Sequence, residues 1–117
     1  MFILFPSLTM ILDHHQFTSR LFHIVQFNGN ILDIHKLLRQ LPSLNLNYLT
    51  YHGQSLVHFC CLYNRLDLLK LFVEDGECDI LMNNADGWLP LHIAVYLGYM
   101  DIVDYLLECM KIYQIRI

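Results

Sequence analysis

What this chain lacks sets the first limits on what it does. It has 117 residues, seven Lys and Arg against eleven Asp and Glu, and a formal charge of −4. The cations Arg20, Lys36, Arg39, Arg65, Lys70, Lys111 and Arg116 are dispersed. No basic run tracks a phosphate backbone, so direct nucleic-acid binding is not expected. There is no Cys-x-x-Cys, no His-Glu-x-x-His and no glycine-rich phosphate loop. No metal, cofactor or small-molecule substrate is therefore expected. His14 and His15 stand as a pair with no thiol or carboxylate at ligand spacing. The four cysteines, Cys60, Cys61, Cys78 and Cys109, show no disulfide-framework spacing. Read as free, small hydrophobes, they point to the reducing cytoplasm or nucleus. Positions 1–12 are mostly apolar, a run too short to cross a bilayer. It lacks a basic start and a small-residue cleavage site, so neither membrane nor secretory signal is expected.

Apolar side chains are abundant instead, at 56% of the chain, above the roughly 45–50% usual for soluble domains. One domain of this length has a high surface-to-volume ratio and cannot hide that fraction well. An apolar end or concave face awaiting a partner is the expected consequence.

The ordering of these residues is periodic. Gly87-Trp88-Leu89-Pro90-Leu91-His92-Ile93-Ala94 is preceded by a similar phrase, Gly53-Gln54-Ser55-Leu56-Val57-His58-Phe59-Cys60. Gly53 and Gly87 are 34 residues apart, as are His58 and His92. A fainter copy lies 35 residues before the second and maps His23 on His58, Gly29 on Asn64 and residues 34–38 on 69–73. Apolar positions recur at three- and four-residue spacing in Leu91, Ala94, Val95 and again in Ile102, Val103, Leu106, Leu107. Each copy thus reads as a helical hairpin. Pro90 suits a first helical turn, and Asn64 and Gly98 suit the positive φ that ends a first helix. Ser55 is placed to cap the second copy's inner helix. Leu89 cannot do so in the third, and Arg20 or Ser19 stands there in the first. Alternation in Leu44, Leu46 and Tyr48 suggests a short extended finger.

Pro90-Leu91-His92-x-Ala94 is five of the six positions of the ankyrin signature, and the period is that of ankyrin repeats plus one residue. The expected fold is all-α: an ankyrin-repeat solenoid of about three helix-turn-helix repeats with short β-turn fingers. The expected organisation is an apolar, poorly ordered tail at 1–17 and a repeat domain at 18–110. The repeats fall near 18–49, 50–83 and 84–110, with a further tail at 111–117. His23, His58, His92, Ser55, Pro90, Gly53, Gly87 and Gly98 are the structural signature residues. Such a stack makes a display surface rather than a catalytic pocket. A His58–Cys60 couple fails on geometry, because two helical residues apart is about 200° around the axis. No enzyme activity is expected.

Trp88, after the turn glycine, is the first contact candidate, with Gln54 as its counterpart. The alternative is that Trp88 packs over the neighbouring finger. The two residues before each inner-helix turn should face the concave groove: Tyr96 and Leu97, Leu62 and Tyr63, Phe27 and Asn28. The competing reading puts Leu62 and Leu97 in the core. Leu21 and Phe22, with Ile24 and Val25, are expected as an apolar open end.

Within the ankyrin superfamily the chain resembles the Notch-regulated ankyrin repeat proteins. The resemblance lies in Asn45-Leu46-Asn47, Gly53-Gln54-Ser55, Asp86-Gly87-Trp88, Leu91-His92-Ile93-Ala94 and Asp101-Ile102-Val103. It implies a negative regulator of Notch signalling that stacks on the ankyrin domain of the Notch intracellular fragment. A second resemblance, through Gly87 to His92 and Gly98 to Ile102, is to phosphatase-targeting ankyrin subunits. Their Lys/Arg-Val-x-Phe docking motif does not occur here. A generic ankyrin adaptor, or a piece of a longer array, are the remaining readings.

Overall fold

A computed structural model describes residues 5–27, 29–40 and 45–116. Among these it has six α-helices, a 3-10 turn and one two-stranded hairpin. Helix α1 (Phe5–Gln26) and α2 (Ile31–Gln40) form the first hairpin. A 3-10 turn (Leu46–Tyr48) leads into β1 (Thr50–Tyr51) and β2 (Gln54–Ser55). Then come α3 (Leu56–Leu62) and α4 (Leu66–Glu74), and α5 (Pro90–Leu97) and α6 (Met100–Arg116). Three helix pairs follow one another at the spacing the sequence sets, which is the expected ankyrin solenoid.

Local chemistry fixes the boundaries. Pro90 opens α5, where its missing N–H loses nothing, and Gly98 closes it at φ 78°. Asn64 does the same after α3 at φ 57°. Ser55 caps α3, its Oγ accepting the His58 backbone N–H at 3.2 Å. Leu89 offers α5 no side-chain cap, and the His92 ring compensates in part, Nδ1 accepting the Leu89 N–H at 3.0 Å.

The ends of the chain differ from the expected organisation. With no glycine or proline after Pro6, α1 runs unbroken from Phe5. It takes in residues 5–17, which the sequence set apart as tail, and Phe17 is buried. Ser19 and Arg20 therefore sit in mid-helix and cap nothing. Likewise α6 carries on through 111–116. The finger differs too: the Asn45 side chain accepts the Asn47 N–H at 3.0 Å and starts a 3-10 turn. Leu46 is buried and Tyr48 exposed without any strand, and Leu44 lies outside the described residues. The extended part is two residues a side, Thr50 opposite Ser55 and Tyr51 opposite Gln54.

Inner helix α3 is central, packed against α1 on one side, α5 on the other and α4 behind; α6 backs α5. The core runs through all three pairs, from Leu21, Phe22 and Ile34 through Leu56, Leu69 and Phe72 to Ala94, Ile102 and Leu106. Cys60 and Ala94 occupy the same small position and both are fully buried. Leu21, Phe22 and Val25, expected at an open end, are fully buried as well. Their face of α1 looks toward the second repeat: the Phe22 ring meets Phe59 edge-on at 4.7 Å and stacks on Tyr51 at 5.5 Å.

Candidate functional site

The site is built from the third finger and the inner helices beneath it. Asn84 Oδ1 accepts the backbone N–H of Asp86 at 3.0 Å and of Trp88 at 2.8 Å. The Trp88 carbonyl accepts the Asn84 N–H at 2.9 Å. Asn84 Nδ2 donates to Gln54 Oε1 at 3.0 Å, and the Ala85 N–H to the Gly53 carbonyl at 2.9 Å, so adjacent fingers are laced together. The backbone on either side of Gly53 and Gly87 is held by these bonds.

His58 supplies the deepest tie. It is fully buried; its Nε2 lies 2.8 Å from the Trp88 carbonyl and its Nδ1 2.6 Å from Ser55 Oγ. A carbonyl only accepts, so Nε2 carries the proton and Nδ1 accepts from the Ser55 hydroxyl. One hydroxyl and one imidazole thus join a helix start to the next repeat's finger. Burial lowers the His58 pKa, opposed by the carbonyls of Trp88 and Met82. His92 holds the same position in the third repeat and is exposed. His23 does not reproduce the role: in mid-α1 there is no turn to support, and its exposed ring rests on Phe27 at 4.5 Å.

With its peptide group fixed on both sides, Trp88 presents its ring. The indole is 40% exposed and meets His92 at 6.2 Å and Tyr96 at 5.9 Å, both edge-on. The backbone of Trp88 is thus tied into its finger, while its ring lies on the surface against His92 and Tyr96 of its own repeat. Beneath it lies a cleft of about 210 Å³ whose walls include Gln54, Leu62, Trp88, Ile93, Tyr96 and Leu97. A neighbouring cleft of about 320 Å³ adds Tyr51, Phe59 and Tyr63 and shares Gln54 and Leu62. Six sequence candidates (Trp88, Gln54, Tyr96, Tyr63, Leu62 and Leu97) therefore converge on one aromatic-aliphatic groove. Leu62 is half-buried while Leu97 is 40% exposed, so neither belongs wholly to the core. Phe27 is exposed but lines neither cleft, and Asn28 lies outside the described residues. Leu21 and Phe22 leave the candidate surface because both are buried, Phe22 against Tyr51 and Phe59 of the second repeat.

Three positioning groups were not picked out from the sequence. Arg65, 9% exposed, donates to the Gly29 carbonyl at 2.9 Å and the Ile24 carbonyl at 3.4 Å, and pairs with Asp67 at 3.1 Å. That hydrogen bond from Arg65 holds the Asp67 carboxyl below its ordinary pKa. Asn47 Oδ1 accepts the Asp79 N–H at 2.7 Å. Tyr105 donates to Glu74 at 2.7 Å on the outer side. The two signals available were a lone Arg just after a helix-ending Asn and the Asn-x-Asn phrase. Both are polar residues at fixed offsets from the turns.

Burial pushes the Cys61 and Cys78 thiols up to about 12, which leaves them protonated and poor nucleophiles. Among the described residues no group of three or more His, Cys, Asp or Glu is placed to hold a metal ion. No described helix is long and apolar enough to cross a membrane. The arrangement offers a shaped, part-apolar surface with fixed aromatic rings, which is what a protein segment binds.

The sequence matches the family model of ankyrin repeats in three copies over residues 21–116. It is 40% identical over 96 residues to the Notch-regulated ankyrin repeat-containing protein of Xenopus laevis, covering 80% of this chain and 83% of that one. The Homo sapiens protein of the same name is 37% identical with the same coverage. Protein phosphatase 1 regulatory subunit 27 of Mus musculus is 30% identical over 104 residues, 89% of this chain and 59% of that one. These relatives and the repeat geometry make the chain a protein-interaction module. It belongs to the ankyrin-repeat family and, within it, to the Notch-regulated ankyrin repeat-containing proteins.

Proposed function

We propose that this protein is a non-enzymatic regulator of Notch signalling that stacks on the ankyrin domain of the Notch intracellular fragment. The reading rests on the convergence of Trp88, Tyr96, Leu97 and Leu62 on one groove in a chain whose relatives carry the Notch-regulated name. A fixed indole beside exposed tyrosine and leucine is the composition of an interface centre. The partner is a protein; nucleic acid, membrane and small-molecule substrates play no direct part. Buried unpaired thiols at Cys60, Cys61 and Cys78 suit the cytoplasm or nucleus.

Calorimetry with a purified Notch intracellular ankyrin domain tests the reading. Binding by the wild-type chain and a loss of about tenfold or more with Trp88→Ala are expected. Absence of wild-type binding removes the Notch partner. Wild-type binding that Trp88→Ala and Tyr96→Ala leave unchanged moves the contact off the groove. The likeness to a phosphatase regulatory subunit supports a second reading, a phosphatase-targeting role. Co-purification with a phosphatase catalytic subunit, and none with the Notch domain, would favour it.

A further inference from the structure

The two ends of the stack are unequal, and the repeat register shows how they fit. On the outer side of α1 and α2, Arg20, His23, Ile24, Asp33, Lys36 and Leu37 line an open cleft of about 410 Å³. Their counterparts 35 residues on are Ser55, His58, Phe59, Leu68, Leu71 and Phe72, and all are buried. Ser55 and His58 turn to the Trp88 carbonyl of the repeat that follows, but Phe59 meets Phe22 of the repeat before it, so the Ile24 side of this cleft is the face that a preceding repeat would cover. At the other end the logic reverses. Val57 and Cys61 are 1% and 0% exposed where α5 covers them, while their counterparts 34 residues on are half-buried Leu91 and Val95 at 58%. Leu107, 43% exposed, matches half-buried Val73. That face is the one a following repeat would cover.

We propose that a second copy of this chain docks here head to tail, the first-repeat face of one molecule on the third-repeat face of the next. The internal interfaces supply the register. Phe22 meets Phe59 at 4.7 Å between repeats one and two, and the same step sets Leu91 against Ile24 of the next copy. Tyr105 meets Glu74 at 2.7 Å, with Lys70 Nζ 5.6 Å from the centre of its ring. Moved on by one interface, Tyr105 becomes Lys36, Glu74 becomes Glu108 and Lys70 becomes Asp104. A cation then stands before two carboxylates, all three exposed in the free chain. Glu108 pairs at 3.0 Å with Lys111 on its own helix, but both are solvated and that pair is weak. Among the described residues Asp104 is in neither ion pair, and the apolar pair Leu91 and Val95 supplies the desolvated centre. The contact is heterologous and continues the step of the solenoid, so it lengthens the stack, and the assembly grows with concentration.

Sedimentation of the full 117-residue chain over a concentration series tests this. The expected weight-average mass starts near 13.9 kDa and rises with concentration. Val95→Asp removes the apolar centre, and Lys36→Glu places like charges together; each is expected to weaken association by about tenfold or more. The double variant Asp104→Lys with Glu108→Lys should also be monomeric alone, yet associate when mixed with Lys36→Glu. Circular dichroism of each variant checks that these exposed substitutions leave the fold intact. A wild-type chain that stays at 13.9 kDa throughout overturns the proposal. So does association that Val95→Asp leaves unaltered, or a pair of charge variants that does not recombine. A chain that never self-associates but binds a foreign ankyrin array through Val95 also overturns it and assigns the face to that array.

Discussion

Replacing His58 and His92 by alanine, one at a time, separates the two roles of the repeated histidine. His58 is fully buried and joins Ser55 to the Trp88 carbonyl through bonds of 2.6 and 2.8 Å. His58→Ala strips a hydroxyl and a carbonyl of their partners, at about 1 kcal/mol each, and leaves a ring-sized void, for a total of about 2–4 kcal/mol. His92 is exposed and accepts the Leu89 N–H at 3.0 Å. Its loss should cost about 0.5–1 kcal/mol, the worth of one solvated hydrogen bond. Urea unfolding followed by helical circular dichroism measures both, provided the m-value is unchanged. The wild type adds a pH signature. Burial lowers the folded-state pKa of His58 below 6.5, so between that lowered value and 6.5 the unfolded chain binds more protons than the folded one. Stability from this group is complete above pH 6.5 and is lost as pH falls through the lowered folded-state value. His58→Ala should flatten that part of the profile. Equal losses for the two variants would refute the reasoning, since the histidine would then act within its own repeat and not as a bridge to the next.

Arg65→Ala should cost about 2–3 kcal/mol in the same assay, because the guanidinium serves two carbonyls of the first repeat; Arg65→Lys should recover little, since one ammonium cannot reproduce the fork. Gly53→Ala and Gly87→Ala test backbone against space: both have positive φ, at 75° and 83°, but an added Cβ meets Ala85 Cβ at 2.6 Å only at Gly53. Gly87→Ala should cost about 1–2 kcal/mol and Gly53→Ala measurably more. Under native conditions a thiol reagent should label Cys109 first; Cys60, Cys61 and Cys78 should react only at the rate of unfolding, which mass spectrometry of timed samples reads directly.

How much of this was legible in the sequence follows from what repeats. Pro90, Ser55, Asn64 and Gly98 act locally, through their own φ or their own hydroxyl, so their roles could be read before any packing was known. The groove residues were legible for a related reason: counting back from a turn fixes helix phase, and phase fixes the face. Failures came where local rules met a neighbour. His23 shares the signature position, but α1 has no glycine or proline between Pro6 and its end to make the turn that a signature histidine supports. Leu21 and Phe22 read as an apolar end because periodicity gives a face without saying which repeat it meets. Arg65 escaped notice because its partners, the carbonyls of Ile24 and Gly29, are backbone atoms some forty residues away that carry no residue code.

The high apolar fraction now has an address. A three-repeat stack has one middle repeat, and only that repeat is covered on both sides: Leu56, Val57, Phe59, Cys60, Cys61, Leu68, Leu69 and Phe72 are all buried. The third repeat has half that protection yet carries apolar residues at the same positions, whereas the first sets Arg20, Asp33 and Lys36 on its outer face. The surplus therefore emerges where the pattern stops, at Val95 and Leu107, and where the fingers part from the inner helices, at Trp88, Tyr96 and Leu97. Hydrophobic area of this kind costs free energy in water in proportion to what is left uncovered, about 25 cal/mol per Å². A short array thus retains part of its stability in latent form, released when a partner fills the groove or continues the stack. Binding and folding are then coupled by mass action, and any true partner should raise the melting temperature of this chain in a concentration-dependent way.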